Sequence, residues 1–134
     1  MERFFSSLLF ILLLFGNIDT AVAVNNTDDL PECVVVTHCV LESFEVGNVE
    51  EAFKKSSEII ANTPRTKIVE ATALYLHAEA RTKWRRYTDD FLVKAFPGKG
   101  IIQVRSESRV GIGDNGVNKK RVDDFAYRLM TNQF

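Results

Sequence analysis

The sequence is poor in the side chains that most often do chemistry. Its 134 residues include two histidines (His38 and His77), two cysteines and one tryptophan. With so few histidines, no catalytic triad spacing or nucleophile-elbow pattern occurs. Cys33 and Cys39 lack the tight C-x2-C spacing of a zinc site. Adding His38 gives three ligands and no clear fourth, so no metal and no cofactor is expected. Net charge is also small, at −1. Residues 1–23 hold Glu2, Arg3 and Asp19, a net of −1, so the remainder is neutral. A neutral chain has no long-range pull on nucleic acid or anionic lipid, and nucleic acid is not expected as a partner. No second long apolar run follows the first, which leaves no membrane span after residue 23. Internal repeats and low-complexity tracts are absent.

The one long apolar run lies at the start. Arg3 is followed by an apolar stretch from Phe4 to Phe15, and then by Ala21-Val22-Ala23. A basic residue, a short apolar core and small residues at a cleavage position together read as a signal peptide over 1–23, cut after Ala23. The run is shorter than the ~20 residues a spanning helix needs, and Gly16, Asn17 and Asp19 end it. No cysteine at the cleavage position suggests a lipid anchor. The expectation is an exported protein, with 24–32 a loose polar leader and 33–134 one domain. Asn25-Asn26-Thr27 fits a glycosylation sequon. Export permits a Cys33–Cys39 disulfide. If Val34–Val36 is extended, however, the two Cα atoms lie roughly 20 Å apart, and a disulfide needs about 4.4–6.8 Å. A bridge therefore requires a loop, and two separate thiols are the expected state.

About 111 residues remain after the signal peptide, enough for one core. Asn48-Val49-Glu50-Glu51 is a helix start with a capping-box glutamate, and Asn62-Thr63-Pro64 ends that helix. Ile68–Ala80 reads as one strand, Tyr87–Phe96 as a second and Ile101–Val110 as a third. A turn at Pro97–Gly100 makes paired positions sum to 197. Asp89, Phe91, Val93 and Ala95 then share a core face with Ser108, Ser106, Val104 and Ile102. A final helix runs from about Val117 to Met130, with Val122, Phe125, Ala126 and Leu129 as its apolar stripe. The fold class is α+β: a small antiparallel sheet of about three strands with two helices packed on one face.

The polar residues concentrate between 105 and 121. Arg105, Ser106, Ser108, Arg109, Asp114, Asn118 and Arg121 surround a glycine-rich bend that opens the last helix. Arginines beside a helix N-terminus suit a small anion, either a phosphate or a carboxylate. A purely structural reading stands beside this one. Asp90 and Glu107 would neutralise Arg105 and Arg109, Asp114 or Asn115 would cap the helix, and the serines would admit it. Gly111-Ile112-Gly113-Asp114-Asn115-Gly116 matches Gly-x-Gly-x-x-Gly, but no βαβ unit or Lys-Ser/Thr follows, so it is not a phosphate loop. For catalysis the candidates are Asp89 or Asp90 as general base with Arg105 or Arg109 stabilising charge, in a hydrolase-type site. Trp84, within Lys83-Trp84-Arg85-Arg86, suits contact with a membrane or nucleic acid, but a packed tryptophan in a solvated loop is the expectation.

Asp89-Asp90, the run Ile102-Gln-Val-Arg-Ser-Glu-Ser-Arg-Val-Gly111 and the run Asp114-Asn-Gly-Val-Asn-Lys-Lys-Arg-Val122 resemble the signature of the domain-of-unknown-function 1499 family (DUF1499). Cys33-Val34 is similar to that family's opening, and the resemblance covers roughly residues 32–130. Lys119 stands where the family has arginine, which keeps the charge but loses a bidentate fork. The resemblance implies a bacterial or photosynthetic-organelle setting, hence a periplasmic or thylakoid-lumen address if the protein is not extracellular. It supplies no catalytic residue. Three functions remain: binding of a small anion or protein partner through the arginine cluster, a hydrolase-type enzyme, or a structural or assembly factor without ligand.

Overall fold

A computed structural model describes residues 29–111 and 113–131. The proposed signal peptide at 1–23 lies outside the described residues. The elements are β1 (Cys39–Glu45), α1 (Val49–Ala61), β2 (Thr66–Ala71), β3 (Tyr75–Arg81), β4 (Thr88–Phe96), β5 (Ile101–Ser108) and α2 (Val117–Thr131). The strands form one antiparallel sheet in the order β1-β5-β4-β3-β2. β1 and β2 are therefore opposite edges, and α1 carries the chain across the sheet between them.

The expected register of β4 on β5 holds at every pair from Asp89↔Ser108 to Phe96↔Ile101. Phe91, Val93, Ala95, Ile102 and Val104 form the sheet side of the core. Ile59 and Ile60 of α1, with Val122, Phe125 and Leu129 of α2, close over it. Both helices thus lie on one face. Phe91 and Phe125 meet edge to face, with centroids 5.4 Å apart, a contact that contributes about 0.5–1.5 kcal/mol beyond simple burial. The cap of α1 is as read: Glu51 N–H donates to the Asn48 side chain at 3.0 Å. Lys55 Nζ donates to the Leu129 carbonyl and Arg128 to Thr63 Oγ1, joining the two helices across the core's open side.

The sheet has five strands, not three. The stretch read as one strand over 68–80 is the β2–β3 hairpin. Its turn lacks Gly, Pro or Asn; the Thr72 hydroxyl accepts from the N–H of Leu74 and Tyr75 instead, doing the work a backbone turn signal usually does. β1 was hidden because Glu42 interrupts its inward-facing alternation of Val40 and Phe44. Glu42 points to α2, where Lys119 pairs with it at 3.3 Å.

The cysteine expectation is also overturned. Cys33 and Cys39 are disulfide-bonded with Cα atoms 5.5 Å apart. Val34–Val36 is not extended; it loops, with His38 N–H donating to the Val35 carbonyl. Residues 29–32, ahead of the bridge, lie against the outer face of the sheet. Leu30 is buried and its N–H donates to Gln103 Oε1 at 2.6 Å. The Glu32 carbonyl accepts from Arg105.

Candidate functional site

The pleat sends alternate residues of β4 and β5 to opposite faces, and this splits the expected constellation in two. Asp89, Ser106 and Ser108 point inward, toward the start of α2. Asp90, Arg105 and Arg109 point outward.

On the inner face Asn118 is the hub. Its Oδ1 accepts from Ser106 Oγ at 2.6 Å and from Arg121 at 2.8 Å. Its Nδ2 faces Ser108 Oγ, Asp114 Oδ2 and the His38 carbonyl, three acceptors for two hydrogens. Asp114 also accepts from the N–H groups of Gly116 and Asn118, satisfying the first turn of α2. Burial alone would raise the Asp114 carboxyl, but these bonds outweigh it and hold it below the usual range. Gly116 has φ +77, a left-handed conformation that glycine adopts without strain. Arg121 donates to Asp89 Oδ2 at 2.7 Å. Asp89 is fully buried, and its Oδ1 has no partner among the described residues.

On the outer face Arg109 forks onto Asp90 at 2.9 and 2.8 Å and also reaches Glu79 at 2.8 Å. His77 Nε2 lies 2.7 Å from the same Asp90. Arg105 pairs with Glu107 at 2.6 Å. The Arg109 guanidinium holds the Asp90 carboxyl below its ordinary value despite partial burial, with His77 adding to the effect. A carboxylate held ionised by a forked arginine is a weak general base. Asp89, bound by Arg121 beneath the helix, is closed to solvent.

Sequence reasoning missed a third group. Two adjoining cavities open where α2 faces the ends of β2 and β3 and the β3–β4 loop. One, of about 380 Å³, has an apolar floor of Ile59, Ile60, Ala80, Phe91 and Phe125 and a rim of Arg65, Arg81, Lys120, Arg121 and Arg128. The other, of about 540 Å³, adds Lys83, Trp84, Arg85, Tyr87 and the glycine-rich bend, and shares Arg65, Arg81 and Arg121. Seven basic side chains line the pair against two carboxylates, Asp114 and Asp124. Arg121 is already paired with Asp89, and Lys120 bonds Asp124. No described residue forms an ion pair with Arg65, Arg81, Lys83 or Arg85. Of the expected site residues, only Ser108, Asp114 and Arg121 line these cavities; Asp89, Asp90, Arg105, Ser106, Arg109 and Asn118 do not. Lys83-Trp84-Arg85-Arg86 was the visible part of the signal. Arg65, Arg81 and Arg128 are scattered in sequence and come together only through the fold.

A family model described as Protein of unknown function (DUF1499) matches residues 22–129. The chain belongs to this family. No curated protein matches it. In this DUF1499 domain the two signature runs, 102–111 and 114–122, meet at the Asn118 hub. Their densest interactions fasten α2 to β4, β5 and the segment before β1. The same fastening places Arg121 at the boundary of the two cavities. Among the described residues no helix is long and apolar enough to cross a membrane, and no group of three His, Cys, Asp or Glu is placed to hold a metal.

Proposed function

We propose that this protein binds a small anionic ligand that carries an apolar portion. The anionic group would sit among Arg65, Arg81 and Arg121, with the apolar part over Phe91 and Phe125. The observation that carries this reading is the unpaired basic rim on an otherwise nearly neutral chain. Arg105, Arg109 and Arg121 have carboxylates; among the described residues five cations that line the cavities, Arg65, Arg81, Lys83, Arg85 and Arg128, have no ion-pair partner. The backbone reinforces the arrangement. Arg65 is a non-glycine residue at φ +55, a conformation that costs of order 1 kcal/mol and clusters at ligand sites. Its carbonyl accepts from Arg81 N–H at 2.8 Å, and its Nε donates to the Arg81 carbonyl. Two like charges are thereby held on neighbouring backbone. The cavity of about 380 Å³ falls within the roughly 300–1,000 Å³ typical of small-molecule sites.

We also propose that the protein is exported and loses residues 1–23, to a periplasmic, thylakoid-lumen or extracellular address. The Cys33–Cys39 disulfide supports this, because such bridges persist mainly in oxidising compartments.

Titration calorimetry with octyl phosphate, inorganic phosphate and octanol tests the binding reading. Octyl phosphate is expected to bind more tightly than either fragment. Replacing both arginines (Arg65→Ala with Arg81→Ala) should weaken it by more than about tenfold, the worth of one charge-assisted hydrogen bond. Equal affinity for octyl phosphate and octanol would refute the anionic assignment.

A further inference from the structure

The β3–β4 loop is built unlike the rest of the surface. It runs through Lys83, Trp84, Arg85, Arg86 and Tyr87, and it carries the only tryptophan in the chain. Trp84 is 85 % exposed, and its one ring contact among the described residues is with the ammonium of its own neighbour Lys83, 5.3 Å from the ring centroid. Large aromatic side chains are normally at least partly buried, because leaving them in water forgoes the transfer of a large apolar area. Here the fold holds the indole outside. Tyr87, Val110 and Val117, all exposed, line the same cavity as Trp84, so the indole belongs to a patch rather than standing alone. The loop is also fixed in shape: Thr82 N–H donates to the Tyr87 carbonyl and Tyr87 N–H donates to Thr82 Oγ1. Arg86 sits at φ +53, a costly conformation for a residue with a side chain.

An exposed indole in a loop that also carries Lys83, Arg85 and Arg86 matches the interface of an anionic bilayer. Tryptophan favours the headgroup level, where its ring is half in apolar surroundings and its N–H remains hydrated. Basic side chains near an anionic surface each add attraction, and the attraction decays within a Debye length. A protein partner would offer apolar burial for Trp84, but it would not by itself explain why Lys83, Arg85 and Arg86 of the same loop have no carboxylate partner among the described residues. We propose that the Lys83–Tyr87 loop docks the protein on an anionic lipid surface, with Trp84 inserted at the headgroup level. This stands on the exposed loop and goes beyond the ligand reading of the cavity.

Because Trp84 is the sole tryptophan, its fluorescence reports the event directly. The full chain is mixed with phosphatidylcholine vesicles or with phosphatidylcholine–phosphatidylglycerol vesicles, and emission and co-sedimentation are measured. With the anionic vesicles the emission should shift to the blue and the protein should sediment. Raising salt from about 0.1 M to about 1 M, which shortens the screening length from roughly 10 Å to roughly 3 Å, should release it. Trp84→Ala should lower vesicle partitioning about tenfold or more, given the area an indole buries. Lys83→Glu with Arg85→Glu should abolish partitioning, while both variants keep the melting temperature of the parent. No blue shift with anionic vesicles, equal binding to neutral ones, or full binding by Trp84→Ala would each overturn the proposal. The cavity reading is tested apart from this one, by octyl phosphate titration of the parent and of Arg65→Ala with Arg81→Ala in the absence of vesicles.

Discussion

The arginines on the outer face and those around the cavities differ in one respect: their company. Arg105, on β5, has Glu107 two positions along the same strand, and Arg109, just past the end of β5, reaches Asp90 of β4 and Glu79 of β3, so each is neutralised at hydrogen-bond distance. Arg65, Arg81 and Arg85 lie at strand ends and in a loop, where no carboxylate has been placed opposite. The first group can be explained without a ligand and the second cannot be explained as easily. An arginine-rich signature is therefore a poor guide to a site unless its counter-charges are located as well. The densest signature residues here fasten the scaffold, and the side chains free to engage an anion lie mostly outside that signature.

Arg121 belongs to both regions, and removing it should have the largest effect. Arg121→Ala would leave the buried Asp89 carboxylate without its only partner among the described residues and take a bond each from Ser106 and Asn118. A loss of about 3–5 kcal/mol is expected, the usual result of orphaning one member of a buried pair, measured by urea denaturation. A loss below about 1 kcal/mol would mean that the inner network is not what holds α2 to the sheet.

Reduction of Cys33–Cys39 comes next. The bridge spans only six positions and pins residues 29–32, whose Leu30 and Glu32 cover Gln103 and Arg105. Closing so short a loop is worth about 2 kcal/mol in the chain-entropy model. Reduced protein should also lose amide-exchange protection at Leu30 first. Protection that survives reduction would show that packing alone holds the segment.

The outer face should show its pairing through pH. The folded-state pKa values of Asp90 and Asp114 are both lowered. A depressed carboxyl adds stability that is fully present above its unfolded value of about 4 and is lost as pH falls through the folded value. Unfolding midpoints in urea should therefore fall below about pH 4 and stay flat from there to neutrality, as far as these two groups decide. Arg109→Ala should flatten the acid limb, because Asp90 loses its main cause of depression, and should lower stability at neutral pH by the amount that limb loses. An unchanged acid limb would assign it to Asp114 and the Asn118 hub.

The smallest change in stability should come from Arg65→Ala with Arg81→Ala. With no ion pairs to lose, the melting temperature should hold or rise while octyl phosphate affinity falls. A marked drop in melting temperature would remove the contrast between the two regions, since these arginines would then be structural too.

Much of the fold was legible. The β4–β5 register follows from a four-residue turn and a two-residue side-chain period, both local. The caps and stripes of α1 and α2 follow from short patterns around Asn48 and Val122. The hairpin at Thr72 was not legible, because a hydroxyl replaced the usual turn residues. β1 was not, because Glu42 occupies an inward position that is tenable only beside Lys119.

The candidate site was less legible, for a related reason. Alternation along β4 and β5 was enough to say that Asp89 and Asp90 face opposite ways, and that Asp90 would find arginines nearby. Which arginine it would find depended on strand pairing: β3 lies beside β4, and its Glu79 and His77 complete the Arg109–Asp90 cluster. Net charge, near zero for the chain, suggested no pull toward anionic surfaces. Charge is a sum over the whole molecule, whereas a ligand meets only the charges within a Debye length. The sequence determined the family, the two helices and the central hairpin, because these rest on near-neighbour patterns. Only the tertiary structure gathered Arg65, Arg81, Lys120, Arg121 and Arg128 around one cavity and left Trp84 in water, because those depend on how strand ends meet a helix more than thirty residues away in sequence.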